Sequence, residues 1–294
     1  MAEVEAVKGV TDAFLRLDEV RGGNVGRSAV AEFLATDVAA LLRSRFASAE
    51  VRRQAFSAAA ELAYLAGFKA HDAGQDGLSQ RYFLSALRLA EESAMPGQDA
   101  FVYRILALQG TDIRRGKFSV ALAEQSVMRA SGKVGPDAMA LFTVAVARCH
   151  AESGRKDEAI AALHRAEPYI SAEMTSEQPR WISMWCPNKA TVVDQTAKAF
   201  LAVGELAAAE CHYELGTSIW DPQSHARVYA LTAAETGLVR WRMGNHEDAL
   251  SMWRPALPIL HAVSSARTSK VLKKMRTTAP ELFAECGPSD VPSI

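Results

Sequence analysis

LAGFKAHDAGQDGLSQRYFLSALRLA, residues 65–90, contains two segments with helical apolar periodicity on either side of Gly74. Glycine adopts the left-handed conformation that ends many helices. The polar residues after it form a tight turn and place an acid, Asp76, in the first turn of the next helix. Gly67 and Ser79 are small enough to let two antiparallel helices approach closely. The stretch therefore predicts a hairpin of two helices.

The same arrangement recurs along the chain, with a second clear copy at residues 235–260. The turn glycines are Gly74, Gly116, Gly154, Gly204 and Gly244, which are separated by 42, 38, 50 and 40 residues. Five positions after each glycine comes a small residue: Ser79, Ala121, Ala159, Ala209 or Ala249. A unit repeated in this way predicts a row of helix pairs, each packing on its neighbours. No alternation typical of strands is present.

The helical patterns divide the chain into four parts. Residues 1–57 are predicted to form N-terminal helices that pack on the repeats, and residues 58–263 contain the repeats themselves. Residues 264–285 should form a helix that caps the last repeat, and residues 286–294, with two prolines, a loose tail.

Composition narrows the function classes. Lys and Arg total 33 and Asp and Glu total 34, so no overall field attracts nucleic acid or a membrane surface. The four cysteines form no C-x-x-C pair and are expected to be reduced thiols. No signal peptide and no apolar run of membrane-spanning length is visible, so a cytoplasmic protein is expected.

The small–glycine–small spacing, followed by Phe83, Leu163, Tyr213 or Trp253, resembles the tetratricopeptide repeat. The resemblance implies an all-α, right-handed helical-repeat solenoid of about five helix pairs plus flanking helices. The second unit matches least well, since Gln109, Gln125 and Met128 depart from the pattern.

The order of segments is more specific than the repeat alone. LDEVRGGNVGRSAVAEFLATDVAALLR (17–43) precedes residues 58–93, and SSARTSKVLKKMR (264–276) follows the last repeat. This order is similar to the sensor region of actinobacterial (streptomycete) helix-turn-helix transcriptional regulators. That family places a DNA-binding domain ahead of this region, and residues 1–25 contain none. The sequence is then expected to be either a fragment or a stand-alone relative.

Tetratricopeptide arrays bind ligands on a concave face lined by the first helix of each unit. The corresponding positions here mix aromatic anchors with charged groups, which suits a peptide or an amphipathic small molecule. The expected groove residues are Tyr64, Phe68, His71, Tyr103, Leu106, Arg114, Arg148, Glu152, Asp194, Lys198, Trp241 and Arg242. A plainer alternative is that these cations pair with Glu152 and Asp194 across neighbouring helices.

Few residues indicate chemistry. His71 and Asp72 are weak candidates for acid–base catalysis, because adjacent residues of a helix diverge in direction. The Cys149–His150 and Cys211–His212 neighbours are poor candidates for a nucleophilic pair. The histidine spacing predicts no metal site, and no motif predicts a cofactor.

The sequence thus favours a binding protein over an enzyme. Its ligand would be a peptide or small molecule, with a protein partner or a homodimer also open, and no direct nucleic-acid or membrane binding is expected. The alternative is a repeat scaffold recruited as a cyclase or isomerase, with an apolar pocket near Phe68, Trp241 and Trp181. The patch of Trp181, Met184 and Trp185 could be core or could cover the groove. The basic helix of Arg267, Lys270, Lys273, Lys274 and Arg276 is expected to be a solvated cap rather than a DNA contact.

Overall fold

A computed structural model describes residues 1–113, 115–172, 178–184 and 188–280, and these residues are helical, with turns between the helices and no strand. The all-α prediction is confirmed. The helices are α1 Ala2–Arg21, α2 Arg27–Phe33, α3 Ala39–Arg43, α4 Ala49–Asp72, α5 Asp76–Ser93, α6 Gln98–Asp112, α7 Gly116–Ala130, α8 Pro136–Glu152, α9 Lys156–Ile170, α10 Arg180–Ser183, α11 Asn188–Val203, α12 Leu206–Ile219, α13 Ala226–Arg242, α14 His246–Ala262 and α15 Ala266–Thr278, and a π-helical turn, Leu34–Val38, joins α2 to α3.

Ten of these helices form five pairs: α4 with α5, α6 with α7, α8 with α9, α11 with α12 and α13 with α14. The two members of a pair are joined by only two or three residues and pack side by side, so they run antiparallel. We number the pairs as units one to five. Neighbouring units pack on each other in chain order, with α8 against α11 across the insertion between units three and four.

Backbone geometry confirms four of the five turn glycines and corrects the remaining one. Gly74, Gly154, Gly204 and Gly244 all have positive φ, between 74° and 88°. Gly116 does not, because it is the first residue of α7. The second turn therefore lies two residues earlier than its glycine suggests. The second helices of the five units begin at residues 76, 116, 156, 206 and 246, which are separated by 40, 40, 50 and 40 residues, a regular spacing with one insertion.

The shifted alignment also removes the departures at Gln109 and Met128, because Ala107 and Ser126 take their places. Ala123 takes the place of Gln125, where the other units have a bulky residue. Ala107 and Ser119 now occupy the small positions of unit two, and both are fully buried, whereas the expected Ala121 is exposed. Unit two consequently contains a small residue at each position where the other units do.

Close packing within a unit depends on these small residues. A Cβ atom placed on Gly67 would lie 2.6 Å from the Phe83 ring, and one on Gly237 would lie 2.2 Å from Nε1 of Trp253. At both positions the absence of a side chain leaves room for the facing aromatic ring. The Trp253 Nε1–H also donates a hydrogen bond to the Ala234 carbonyl at 3.0 Å, which fixes the ring in a fully buried position.

Helices α1, α2 and α3 pack on α4 of unit one, and α4 is longer than the sequence predicts. It begins at Ala49, where the Ser48 hydroxyl accepts a hydrogen bond from Val51 N, so residue 57 lies within a helix rather than at a boundary. Helix α1 buries Val4, Val7 and Leu15 in the apolar core shared with α4. It also contacts α13 of unit five.

A buried charge cluster joins both ends of the row of units. Asp18 of α1 forms ion pairs with Lys69 at 3.2 Å and with Arg227 of α13 at 2.7 Å. Arg227 also lies 3.4 Å from Asp72 of α4, whose other oxygen accepts a hydrogen bond from Ser265 at the start of α15. The side chains of Asp18, Asp72, Lys69 and Arg227 are fully buried. The first and last units are therefore held together by paired charges.

Candidate ligand-binding surface

The first helices of the units present the positions that the sequence assigns to an inner face. The correction in unit two changes which residues lie there. Phe101 contacts the ring of Tyr64 at a centroid distance of 5.4 Å, and Asp112 contacts both His71 and Arg148. The expected Tyr103 instead lies under the guanidinium of Arg129 from α7, at 4.6 Å. Leu106 packs at the edge of the main apolar core, and Arg114 lies outside the described residues.

The inner face is the side of the molecule formed by the first helices of the units. Apolar side chains fill its half nearest the N-terminal ends of these helices. Tyr64, Phe101, Leu141 and Val144 are buried in one apolar cluster, which also contains Trp181 of the insertion. Trp181 therefore belongs to the core in this region, and it covers the inner face of units one and two. Met184 packs at the edge of the N-terminal core, and Trp185 lies outside the described residues.

The other half carries a continuous chain of polar contacts across units one to four. His71 Nε2 lies 3.3 Å from Asp112 Oδ2, and Arg148 Nη2 donates to Asp112 Oδ1 at 2.7 Å. Arg148 Nη1 donates to the Gln195 amide oxygen at 2.8 Å. The Gln195 amide in turn donates to Asp194, which also pairs with Lys198 at 2.6 Å. We call this set the polar strip: His71, Asp112, Arg148, Gln195, Asp194 and Lys198.

Two pKa values in the polar strip are shifted by these contacts. Burial acts to lower the pKa of His71, but hydrogen bonds with Asp112 and Asp76 outweigh it and raise the pKa above its usual value. Burial acts to raise the pKa of Asp112, but the charge of Arg148 and the contact with His71 hold it well below its usual range. The strip consequently favours a charged imidazolium beside an ionised carboxylate.

A half-open pocket of about 500 Å³ lies between the turns of units two and three, next to the strip along two helices. Its lining residue Thr111 precedes Asp112 in α6, and Glu152 follows Arg148 by one turn of α8. Its charged side chains are Lys117, Glu152 and Arg155, all exposed. None of these three forms an ion pair with another residue of the described ranges. The remaining lining residues are Thr111, Gly116 and Ser153. The pocket thus presents both signs of charge to solvent.

The other expected groove residues lie elsewhere. Trp241 stacks on His246 and Trp253 within unit five, at centroid distances of 4.1 and 5.6 Å, and Arg242 is exposed. Phe68 lies between two cations, with the guanidiniums of Arg227 and Arg267 at 5.1 and 6.0 Å from its ring centroid. The alternative was that the cations expected in the groove pair with Glu152 and Asp194 across neighbouring helices. Lys198 does pair with Asp194, but on its own helix, and Arg148 pairs across helices with Asp112 instead.

The weak catalytic candidates are separated by the fold. His71 contacts Asp76 and Asp112, whereas Asp72 accepts hydrogen bonds from Gly23 N and Ser265 in the buried charge cluster. They do not face each other. Burial raises the pKa of Cys149 to about 12, which keeps its thiol protonated. Within the described ranges, no cluster of three or more His, Cys, Asp and Glu side chains could hold a metal ion, and no helix is long and apolar enough to span a bilayer.

The sequence pattern did not predict that Asp112 and Gln195 belong to the polar strip. It also did not predict that Arg180, in the insertion, contacts the inner face. Asp112 could have been found by requiring a constant spacing between units rather than by aligning glycines. Gln195 follows the expected Asp194 in the chain, and its side chain accepts a hydrogen bond from Arg148. No sequence signal links Arg180 to its partners, which are more than one hundred residues away.

No protein-family model and no curated protein matches this sequence. Among solved structures, the crystal structure of BtubC (BKLC) from P. vanneervenii is similar, with a TM-score of 0.51 and 13% sequence identity. The match covers 82% of this chain and 92% of that chain. At this identity the likeness concerns the fold alone.

Proposed function

We propose that this chain is a tetratricopeptide-like helical-repeat binding protein that acts in the cytoplasm and binds a short peptide or a peptide-like small molecule. The paired helices, the small residues at their contacts and the regular spacing of the units support a solenoid of this type. The order of segments supports a relationship to the sensor regions of transcriptional regulators. Ligand binding would then change how the chain contacts a protein partner or a second copy of itself.

The observation that carries the proposal is the polar strip together with its adjoining pocket. Arg148 is buried and held by two neighbours, so the strip is rigid and preorganised. The pocket beside it offers Lys117 and Arg155 to an anionic group and Glu152 to a cationic one. A peptide with both charged termini, or a ligand of similar chemistry, matches that arrangement.

A thermal-shift assay with short peptides that have unblocked termini tests the proposal, because a ligand that binds only the folded state raises the melting temperature. We expect Lys117→Ala and Glu152→Ala to reduce the shift without lowering the stability of the unliganded protein, since both side chains are exposed. Lys133→Ala is the matched control, because Lys133 is an exposed lysine at the opposite end of α7. Equal shifts in all three variants would refute the pocket.

A further inference from the structure

The inserted segment, residues 178–184, contacts the first helices of three units. Gln178 donates a hydrogen bond to Asp137 at the start of α8 in unit three. Trp181 contacts Phe101 of α6 in unit two, and Arg180 contacts Glu61 of α4 in unit one. The chain thus places a stretch of its own sequence across the inner face, as a bound peptide would lie.

The aromatic part of this contact is closely fitted. The Trp181 ring is only 3% exposed and its centroid lies 5.6 Å from that of Phe101. On the other side, Trp181 Cζ2 lies 3.2 Å from the place that a Cβ atom on Gly97 would occupy. Gly97 has a φ of 77°, so both the backbone conformation and the space favour glycine here. The slot therefore accepts a flat, large side chain.

The charged part is specific for a guanidinium. Arg180 Nε donates to Glu61 at 3.0 Å, and Nη2 donates to Asp12 of α1 at 2.6 Å and to the Lys8 carbonyl at 3.3 Å. These acceptors lie around a planar fork, a geometry that lysine cannot satisfy. Glu61 is buried, and a carboxylate there is unfavourable without a cationic partner. Within the described ranges its ion pair is with Arg180.

We propose that the surface formed by Asp12, Glu61, Tyr64, Gly97 and Phe101 is a recognition site for partner peptides in which an arginine is followed by a large aromatic residue. Segment 178–184 occupies the site in cis and competes with such a partner. Arg180 remains 32% exposed, so an incoming guanidinium can reach the same carboxylates from solvent. This site is distinct from the polar strip and its pocket.

The competition has a measurable consequence. A tethered occupant acts at an effective concentration on the order of millimolar, so a separate peptide at micromolar concentration does not displace it. Removing the two anchoring side chains with Arg180→Ala and Trp181→Ala leaves the slot and the carboxylates vacant for a peptide supplied in trans.

The probe is a fluorescein-labelled peptide of sequence QPRWISM, residues 178–184 with blocked ends, followed by fluorescence anisotropy. We expect it to bind the R180A/W181A variant at least ten-fold more tightly than it binds the wild type. We also expect at least ten-fold weaker binding of the peptide QPEWISM, in which glutamate replaces the arginine. Adding Glu61→Gln to the variant should weaken binding of QPRWISM. Equal affinity for the two peptides would overturn the proposal.

If far-UV circular dichroism shows that the double variant is unfolded, Arg180→Ala alone tests the charged part of the site, because it vacates the carboxylates while Trp181 stays in its slot. For this variant the peptide QPRAISM, in which alanine replaces the tryptophan, should bind more tightly than QPEAISM, and equal affinity for these two peptides would overturn the proposal. Light scattering of the wild type tests whether a second copy of this chain, rather than a different partner, occupies the site. A monomer supports the proposal, whereas a dimer that QPRWISM dissociates would assign the site to a second copy and overturn the role of a partner. Neither outcome depends on ligand binding at the polar strip.

Discussion

Nη2 of Arg148 donates to Oδ1 of Asp112 at 2.7 Å, and this bond joins the first helices of units two and three. Arg148 is buried, whereas the Asp112 carboxylate is partly exposed. The same carboxylate contacts His71, so a single acid connects three units through two cations. The stability of the inner face should depend on its charge.

Replacing Asp112 with asparagine tests that dependence. The buried guanidinium would lose its anionic partner and keep only neutral amide oxygens, those of Gln195 and of the new asparagine, as acceptors. We expect the free energy of unfolding to fall by about 1–3 kcal/mol, less than for a fully buried pair because solvent reaches Asp112. Urea denaturation at pH 7 measures it. Asp157→Asn, the same change at an exposed position in α9, should alter stability by about 0.5 kcal/mol or less. Similar losses in both variants would contradict the role assigned to Asp112.

His71 should make stability depend on pH near neutrality. Its folded-state pKa is raised above the usual 6.5, so the folded protein binds the proton more tightly than the unfolded chain does. That stabilisation is complete below pH 6.5 and is lost as the pH rises through the folded-state pKa. We expect the unfolding free energy of the wild type to fall more between pH 6 and 8 than that of His71→Gln. Parallel curves for the two proteins would exclude this contribution.

Several elements of the fold follow from the sequence because they depend on local chemistry. Glycine at Gly74, Gly154, Gly204 and Gly244 marks a turn through its left-handed backbone, and four of the five pairs were placed from it. Unit two was misplaced by two residues because Gly116 stands inside a helix. The same shift of two residues assigned Tyr103, rather than Phe101, to the inner face.

The long-range contacts could not be predicted in this way. Arg180 meets Glu61 across 119 residues, and Arg227 lies beside Asp18 across 209 residues. Such contacts depend on how far each unit rotates relative to the previous one, a small angle that accumulates over five units. No local pattern in the sequence specifies that angle, so the place of Trp181 stayed open between core and cover, and the closing charge cluster was not predicted.

Gly67→Ala tests the close contact that the repeat pattern requires. The added methyl group would lie 2.6 Å from the Phe83 ring and would force the two helices of unit one apart. We expect a loss of about 1–3 kcal/mol in the free energy of unfolding. Gly77→Ala is the matched control, since nothing lies within 4 Å of the new atom in α5. There the better helix propensity of alanine should stabilise by roughly 0.5–1 kcal/mol, so the two variants should differ in sign.

Glu61 should make the protein less stable as the pH rises through mildly acidic values. Burial raises the pKa of Glu61 from 4.5 to about 7, despite the opposing effect of Arg180. The protonated form is therefore favoured in the folded protein, and the resulting stabilisation is lost between pH 4.5 and 7. We expect the wild type to lose up to about 3 kcal/mol over this interval and Glu61→Gln to lose much less. Glu50→Gln, an exposed change on the same helix, should keep the wild-type slope.

Arg227 holds the two ends of the row of units together, and its removal should have the largest effect. Arg227→Met would remove the ion-pair partner that Asp18, Glu19 and Asp72 share. Asp18 would keep Lys69, and Asp72 would keep the attraction of Arg267. We expect a loss of about 3–5 kcal/mol in chemical denaturation, against little change for the exposed Arg254→Met. Combining Arg227→Met with Asp18→Asn removes one charge of each sign and should recover at least about 1 kcal/mol.

The same two variants can show whether the charge cluster holds the first and last units together or only adds to the stability of the fold. If the cluster holds unit one to unit five, Arg227→Met should expand the molecule while its helices stay intact. Small-angle X-ray scattering should then give a larger radius of gyration at unchanged far-UV circular dichroism, and the double variant should return toward the wild-type value. An unchanged radius in a destabilised single variant would mean that the remaining contacts close the row without these charges. Those contacts are the packing of α1 on α4 and α13 and the hydrogen bonds of Ser264 with Arg21 and Asn24.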